Sequence, residues 1–361
     1  MIMNKKNRKK AVIAILALIG TLVVVFAAVW AIERRQESRK QNQNQVQAES
    51  SEAKSEKKKK AEASVDNGWS SENTLYINDT MYGYDHRIET YLFIGTDASG
   101  NESGAGDEYH GAMADFLLLM VIDHTDDTYG FLQIDRGTVT EVPMITSSGE
   151  LVDYSTEQIC TAHWYGGNPV ESAENTAEVV KVLIGELETL DGYYVLNMDQ
   201  IGKLNASVDG VEVTIEDDLT SYDPDFKKGT TLTLSDEQAE TFVRARYLTD
   251  DGKNAFRMVR QREYMNGFFQ KAIAKMKEQP NFANTLWNTL KDAAVTDMNG
   301  NSFSRIAESV RKGESKGILS FEGETKEGTL LEDGELHEEF YPDQESIAAV
   351  MTELFSLVNI E

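Results

Sequence analysis

Cysteine is almost absent: Cys160 is the one such residue in 361. No intrachain disulfide can form, so the chain is not a small secreted domain held by staples and must rest on a hydrophobic core. Positive charge is the second scarcity. The chain carries −26, and residues 1–40 hold nine basic and two acidic side chains, so residues 41–361 carry −33. A surface of that sign favours solubility and repels nucleic acid, which argues against DNA or RNA as a partner. No internal repeat is visible along the chain.

Against these absences stands one uncharged run of apolar and small residues, 11–32. At helical rise it spans about 33 Å, enough for a bilayer core of about 30 Å, and inside lipid such a run must be helical. Lys5, Lys6, Arg8, Lys9 and Lys10 precede it, while Arg34, Arg35, Arg39 and Lys40 follow it diluted by Glu33 and Glu37. The positive-inside rule then makes residues 1–10 a cytoplasmic tail and puts the rest outside the cell membrane. A cleaved signal peptide has an apolar core of about 7–15 residues; this longer run reads as an uncleaved single-pass anchor. Residues 33–87 read as a linker, polar and of low complexity over 36–62. About 50 residues of flexible coil reach roughly 40 Å, which keeps the following domain near the membrane.

Beyond the linker, continuous apolar runs at 91–95, 116–122 and 129–134 read as buried strands, the last two joined as an antiparallel hairpin by the turn-rich DHTDDT. Residues 193–197 and 211–215 read as further strands. Residues 171–187 have helical spacing, with Val179, Val182 and Leu183 on one face. Ser235 and Gln238 form a capping-box signature ahead of a helix over 238–247, and a long helix is expected over 254–277. Strands mixed with helices define an α/β domain, a mixed central sheet covered by helices, over 88–280. Residues 281–361 read as an extension packed on or following it: helical in parts to 312, a hairpin or exposed loop over 313–338, and an amphipathic helix over 344–358.

Candidate chemistry gathers at strand ends and on one helix. Asp97 follows the first buried strand and Asp115 precedes the second. If those strands are antiparallel neighbours, both carboxylates meet at one sheet edge, where a pair can hold Mg²⁺ when phosphate supplies further ligands. Aspartates in strand-end turns are the plainer alternative. A calcium loop starting at Asp97 fits poorly, because Glu102 stands where glycine is needed. Residues 41–361 contain nine arginines, five of them between Arg244 and Arg262. Arg257, Arg260, Gln261 and Tyr264 share one helix face. Guanidinium groups bind phosphate bidentately, so that face and Arg136 can clamp a pyrophosphate; salt bridges to nearby acids are an equal alternative. Cys160 and His163 lack a third, orienting group and read as a structural pair, not as nucleophile and base.

In order along the chain, YLFIGTD, ADFLLLMVI, LQIDRGTVTEVP, QICTAHWYGG, VDGVEVTI, LTLSDEQAETFVRARY and RMVRQREYM resemble the ordered blocks of the LytR–CpsA–Psr family of cell-wall proteins. The resemblance runs over about residues 88–277, together with the anchor. It implies a Mg²⁺-dependent phosphotransferase of Gram-positive bacteria that moves a glycopolymer from a polyprenyl-pyrophosphate carrier to peptidoglycan. By the same resemblance Asp97 and Asp115 position Mg²⁺, and Arg136, Arg244, Arg246, Arg257 and Arg260 neutralise the pyrophosphate with Gln261 beside them. The lipid tail enters an apolar pocket between sheet and helices. Three positions depart from the family pattern: Met113 and Gly137 replace an arginine and an aspartate, and Asn254 replaces another aspartate. These departures motivate a rival expectation, a catalytically weakened module that binds polyprenyl phosphate or wall polymer.

Overall fold

The computed structural model describes residues 69–97, 102–103, 109–245, 254–331 and 334–360. The expected anchor, the basic tail, the first part of the linker and Arg246 lie outside the described residues. Among the described residues no helix is long and apolar enough to cross a membrane.

A hairpin of β1 (Thr74–Ile77) and β2 (Thr80–Gly83) comes first. Its turn residues Asn78 and Asp79 both have positive φ, a geometry these side chains tolerate. Leu75, Ile77 and Met81 are buried. Two strands therefore lie inside the segment read as linker, because alternate apolar residues find a core to face. The chain continues with β3 (Ile88–Thr96), the short pair β4 (Glu102–Ser103) and β5 (Tyr109–His110), then β6 (Ala114–Asp123), β7 (Thr128–Ile134) and the hairpin β8 (Val139–Ile145) and β9 (Leu151–Gln158). After a 3-10 turn at Ile159–His163 come α1 (Pro169–Leu183), β10 (Gly192–Asn197), α2 (Ile201–Ser207), the pair β11 (Glu212–Thr214) and β12 (Thr231–Thr233), and α3 (Asp236–Arg244). Next follow α4 (Asn254–Glu278), α5 (Phe282–Leu290), β13 (Ala294–Thr296), α6 (Gly300–Lys312), β14 (Glu314–Leu319), the hairpin β15 (Gly323–Gly328) and β16 (His337–Pro342), α7 (Gln344–Phe355) and β17 (Val358–Asn359).

The central sheet has six strands in the order β13-β10-β3-β6-β7-β14. It is mixed: β3–β6 and β6–β7 are antiparallel, whereas β10–β3 and β14–β7 are parallel. Along β6, Leu117, Leu119 and Val121 enter one core with α1 and α7, while Leu118, Met120 and Ile122 enter a second with α3 to α6. Burial on both faces is why this strand reads as an unbroken apolar run instead of an alternating one. The segment after 281 is more than an extension, since β13 and β14 are the two edge strands of this sheet. Of the face expected for the helix over 171–187, Val179 is buried and Leu183 packs against the core, but Val182 is 53% exposed; Ala173, Ala177 and Val180 are buried with them. Small alanines let α1 approach the sheet closely, a choice that hydrophobicity alone does not rank first. Asn168 caps α1 by accepting from the N–H groups of Val170 and Glu171, and Ser235 with Gln238 forms the expected capping box on α3.

At one end of β6, His86 Nδ1 lies 2.6 Å from Asp123 Oδ2, tying the segment before β3 to the last residue of β6. The bond to Asp123 raises the His86 pKa, against the opposing pull of desolvation. Burial alone would push the Asp123 carboxyl up, but His86 and the N–H groups of Thr125 and Asp126 outweigh it and hold the carboxyl below its ordinary value. The raised histidine contributes stability that is complete below its unfolded pKa of about 6.5 and is lost as pH rises through the folded value. His86→Asn is expected to lower the melting temperature by roughly 2–4 °C at pH 6, the shift for about 1 kcal/mol. By pH 9 the deficit should vanish in thermal melts; an equal deficit at both values would remove the charged pair as its cause.

Candidate functional site

β3 and β6 pair with Thr96 opposite Ala114, past a register shift after Gly95. Asp97 and Asp115 therefore leave the same end of the sheet, within hydrogen-bonding reach of each other. Burial, and after it the Asp115 charge, push the Asp97 carboxyl above its ordinary value, while Arg244 and Arg136 pull it down. Asp115 is the buried member. Arg136, two residues past the end of β7, brings Nε to 2.9 Å from Asp115 Oδ1. Arg257, on the first turn of α4, brings Nη1 to 3.5 Å from the same oxygen. Thus three elements far apart in sequence converge on one carboxylate.

The other edge of Arg136 is held by sulfur. Its Nη2 donates to Met113 Sδ and Cys160 Sγ, each at 3.3 Å. Sulfur is a weak acceptor, so these contacts orient the guanidinium without neutralising it. Cys160 is fully buried, and burial pushes its thiol up, away from the thiolate that nucleophilic chemistry needs. His163 donates from Nδ1 to the Ala112 carbonyl at 2.7 Å, and burial lowers its pKa. Both residues support the loop behind Arg136.

The α4 face expected from spacing is buried as a whole: Arg257, Arg260, Gln261 and Tyr264 all face inward. Their partners differ. Arg260 donates from Nε to the Phe242 carbonyl at 3.4 Å and from Nη2 to the Ala245 carbonyl, so it caps the last turn of α3. Gln261 bonds with Gln133 of β7, whose Oε1 accepts from Arg262 Nε at 3.2 Å. Arg244 pairs with Glu240 at 3.0 Å on the half-exposed end of α3, and its charge is felt at Asp97.

Two departures from the family pattern acquire partners here. Asn254 donates from Nδ2 to Asp135 Oδ1 at 2.7 Å and accepts at Oδ1 from Arg257 Nη2 at 2.6 Å. Asp135 also accepts from the Gly137 N–H at 2.8 Å. Burial pushes the Asp135 carboxyl up, against these bonds and the charges of Arg257 and Arg136. Asp135 and the bridging role of Asn254 were not anticipated; the adjacency of Asp135 to Arg136 was the available signal. Gly137 stands where a Cβ would meet the Glu338 carbonyl at 2.7 Å. Since a backbone atom must then give way, Gly137→Ala is expected to cost about 1–3 kcal/mol in denaturant unfolding. An unchanged midpoint would show that the close approach is slack.

Beside the carboxylates an apolar cavity of about 230 Å³ opens between the sheet and the helices. Gly95, Phe116 and Leu196 line its sheet side, and Gln261, Tyr264 and Phe268 its helix side. Gly95 is paired with Phe116, whose chain neighbour is Asp115, so the cavity and the charged cluster share the ends of β3 and β6.

A mixed sheet between helical layers, with arginines and aspartates at a strand end beside an apolar cavity, defines the class of domain. The chain belongs to the LytR_cpsA_psr family, whose model matches residues 38–356. Among solved structures, gbs0355 from Streptococcus agalactiae is similar with a TM-score of 0.56 at 18% identity, covering 74% of this chain and 88% of that one. TagV of B. subtilis is similar with a TM-score of 0.53 at 19% identity, covering 75% and 98%. A TagT bound to LI-WTA gives 0.52 at 18% identity, covering 74% and 90%. At these identities the likeness is one of fold. No curated protein matches the chain significantly.

Proposed function

We propose that the chain transfers a glycopolymer from a polyprenyl-pyrophosphate carrier to peptidoglycan at the outer face of a cell membrane, held there by residues 11–32. The observation that carries this reading is the convergence of Arg136 and Arg257 on Asp115, with Asp97 in reach and an apolar cavity alongside. Phosphoryl transfer needs positioning and charge stabilisation more than covalent help, and buried guanidinium groups supply both. Arg136 and Arg257 hold the pyrophosphate oxygens, Arg244 adds charge from the rim, and Arg246 joins them by resemblance. Arg260 and Gln261 act from behind, fixing α3 and β7 against α4. The cavity takes the first isoprenoid units. TagT, of similar fold, has been solved with LI-WTA, which supports a wall-polymer substrate class.

Asp97 and Asp115 fit a divalent cation: both offer hard carboxylate oxygens at the same end of β3 and β6, and the Asp115 charge, second to burial, helps to raise the Asp97 carboxyl. Held there by Asp97 and Asp115, Mg²⁺ would supply neutralisation of pyrophosphate charge.

The test uses the full-length chain in nanodiscs with a polyprenyl-pyrophosphate sugar donor, a peptidoglycan acceptor and Mg²⁺. Transfer of the sugar phosphate to the acceptor is expected. Absence of transfer, where a family member with the complete motif set works, would overturn the reading. A second reading, a binding module with weakened catalysis, is favoured by Gly137 and Asn254 standing where the family pattern has aspartates. It predicts tight donor binding that Asp97→Ala leaves unchanged.

A further inference from the structure

The C-terminal hairpin reaches the site from residues that no motif marked. The Phe340 N–H donates to the Gly137 carbonyl at 2.8 Å, and Thr138 and Phe340 form a parallel bridge. Gln158 Nε2 donates to the Glu338 carbonyl at 3.2 Å. Gly137, lacking a Cβ, leaves the space that the Glu338 carbonyl approaches. So β16 is seated against the loop that presents Arg136.

Adjacent glutamates on β16 point to opposite faces, as strand geometry requires. Glu339 is buried and serves the hairpin itself, accepting from the Leu330 N–H at 3.0 Å and from the Tyr341 hydroxyl at 2.7 Å. Glu338 turns the other way and accepts the backbone N–H of Asn254 at 2.6 Å, the first residue of α4. A carboxylate there meets both an N–H with no partner inside the helix and the positive end of the helix dipole. From Asn254 the contacts run on without a gap. Its amide joins Asp135 and Arg257, and Arg257 faces Asp115.

We propose that Glu338 is a positioning residue of this site. It fixes the first turn of α4 so that Asn254 holds the Arg257 guanidinium in the plane that meets the pyrophosphate. This rests on the transferase reading above and extends it, since the reaction then depends on a side chain 84 residues beyond Asn254 in sequence. Arg257 has five donors in a rigid fork, so a small rotation of its plane loses a bidentate contact where a flexible lysine would adapt.

The experiment compares full-length Glu338→Ala, Glu338→Gln, Asn254→Ala and the Glu338→Ala/Asn254→Ala double variant in nanodiscs, well below each melting temperature. Glu338→Ala is expected to lower kcat/KM for the donor about 10- to 100-fold, with the loss shared between kcat and KM, and Glu338→Gln, which keeps an acceptor oxygen, to recover part of it. If Glu338 acts through Asn254, adding Glu338→Ala to Asn254→Ala costs less than about twofold more. Independent, multiplicative losses, or a lowered melting temperature with kcat/KM intact, would overturn the proposal in favour of a purely structural cap. Should the wild-type chain transfer nothing, the transferase reading fails by itself. Glu338 is then judged by calorimetric binding of inorganic pyrophosphate: a loss of fivefold or more in Glu338→Ala, absent on the Asn254→Ala background, sustains it. Unchanged affinity, or no pyrophosphate binding by the wild type, overturns it.

Discussion

Asp115→Ala is expected to remove transfer altogether and to destabilise the domain by about 3–5 kcal/mol, the cost of breaking a buried ion pair from one side. The magnitude follows from burial. The Asp115 side chain is 4% exposed, and those of Arg136 and Arg257 are 15% and 7% exposed. Removing the carboxylate leaves two guanidinium groups facing each other with little water to screen them. Asp115→Asn keeps the volume and the carbonyl oxygen, so it should retain more of the fold while still losing about 10²–10³-fold in rate through the misplaced Arg136 and Arg257. Urea unfolding beside initial transfer rates separates the two effects. A variant within 1 kcal/mol of the parent and fully active would take Asp115 out of the centre of the site.

The cavity carries the second large effect. Leu196 lines it from β10 and is only half-buried, so Leu196→Trp fills the space with less strain than a change deeper in the core. Burial stabilises by about 0.8 kcal/mol per CH₂ group, so excluding one five-carbon isoprene unit should weaken a long-chain donor by about 3–4 kcal/mol, several hundredfold. A donor with a short, water-soluble tail should lose almost nothing. Measured KM values for the two donors give the comparison directly. Equal losses would mean that tryptophan disturbs the charged site, and no loss that the lipid lies elsewhere.

How far these features could be read from the chain depends on the range of the interactions that create them. Asp97 and Asp115 were legible because two apolar runs joined by a long polar loop favour antiparallel neighbours, and the carboxylates flank the loop. Burial of Arg257, Arg260, Gln261 and Tyr264 was legible from helical spacing. What Arg260 does with its buried guanidinium was not, because the carbonyls of Phe242 and Ala245 become its partners only once α3 and α4 pack. Val182 shares the expected face of Val179 and Leu183 yet stays exposed, because the buried stripe of α1 runs through Ala173, Ala177 and Val180 instead. Glu338 was invisible among the many glutamates of the C-terminal hairpin. Its distinction is a single contact with the start of a helix, and no local pattern encodes that.

The sheet also dictates when this chain can finish folding. β3, β6, β7 and β10 are all made by residue 197, yet their outer neighbours β13 and β14 lie at 294–296 and 314–319. β17, at Val358–Asn359, pairs with β2, at Thr80–Gly83. A chain emerging N-terminus first therefore exposes two raw sheet edges for about a hundred residues of synthesis, a state open to wrong pairing. Premature stops that spare every arginine and aspartate of the site should still yield aggregates, since the last fifth of the chain closes the structure that the first half began.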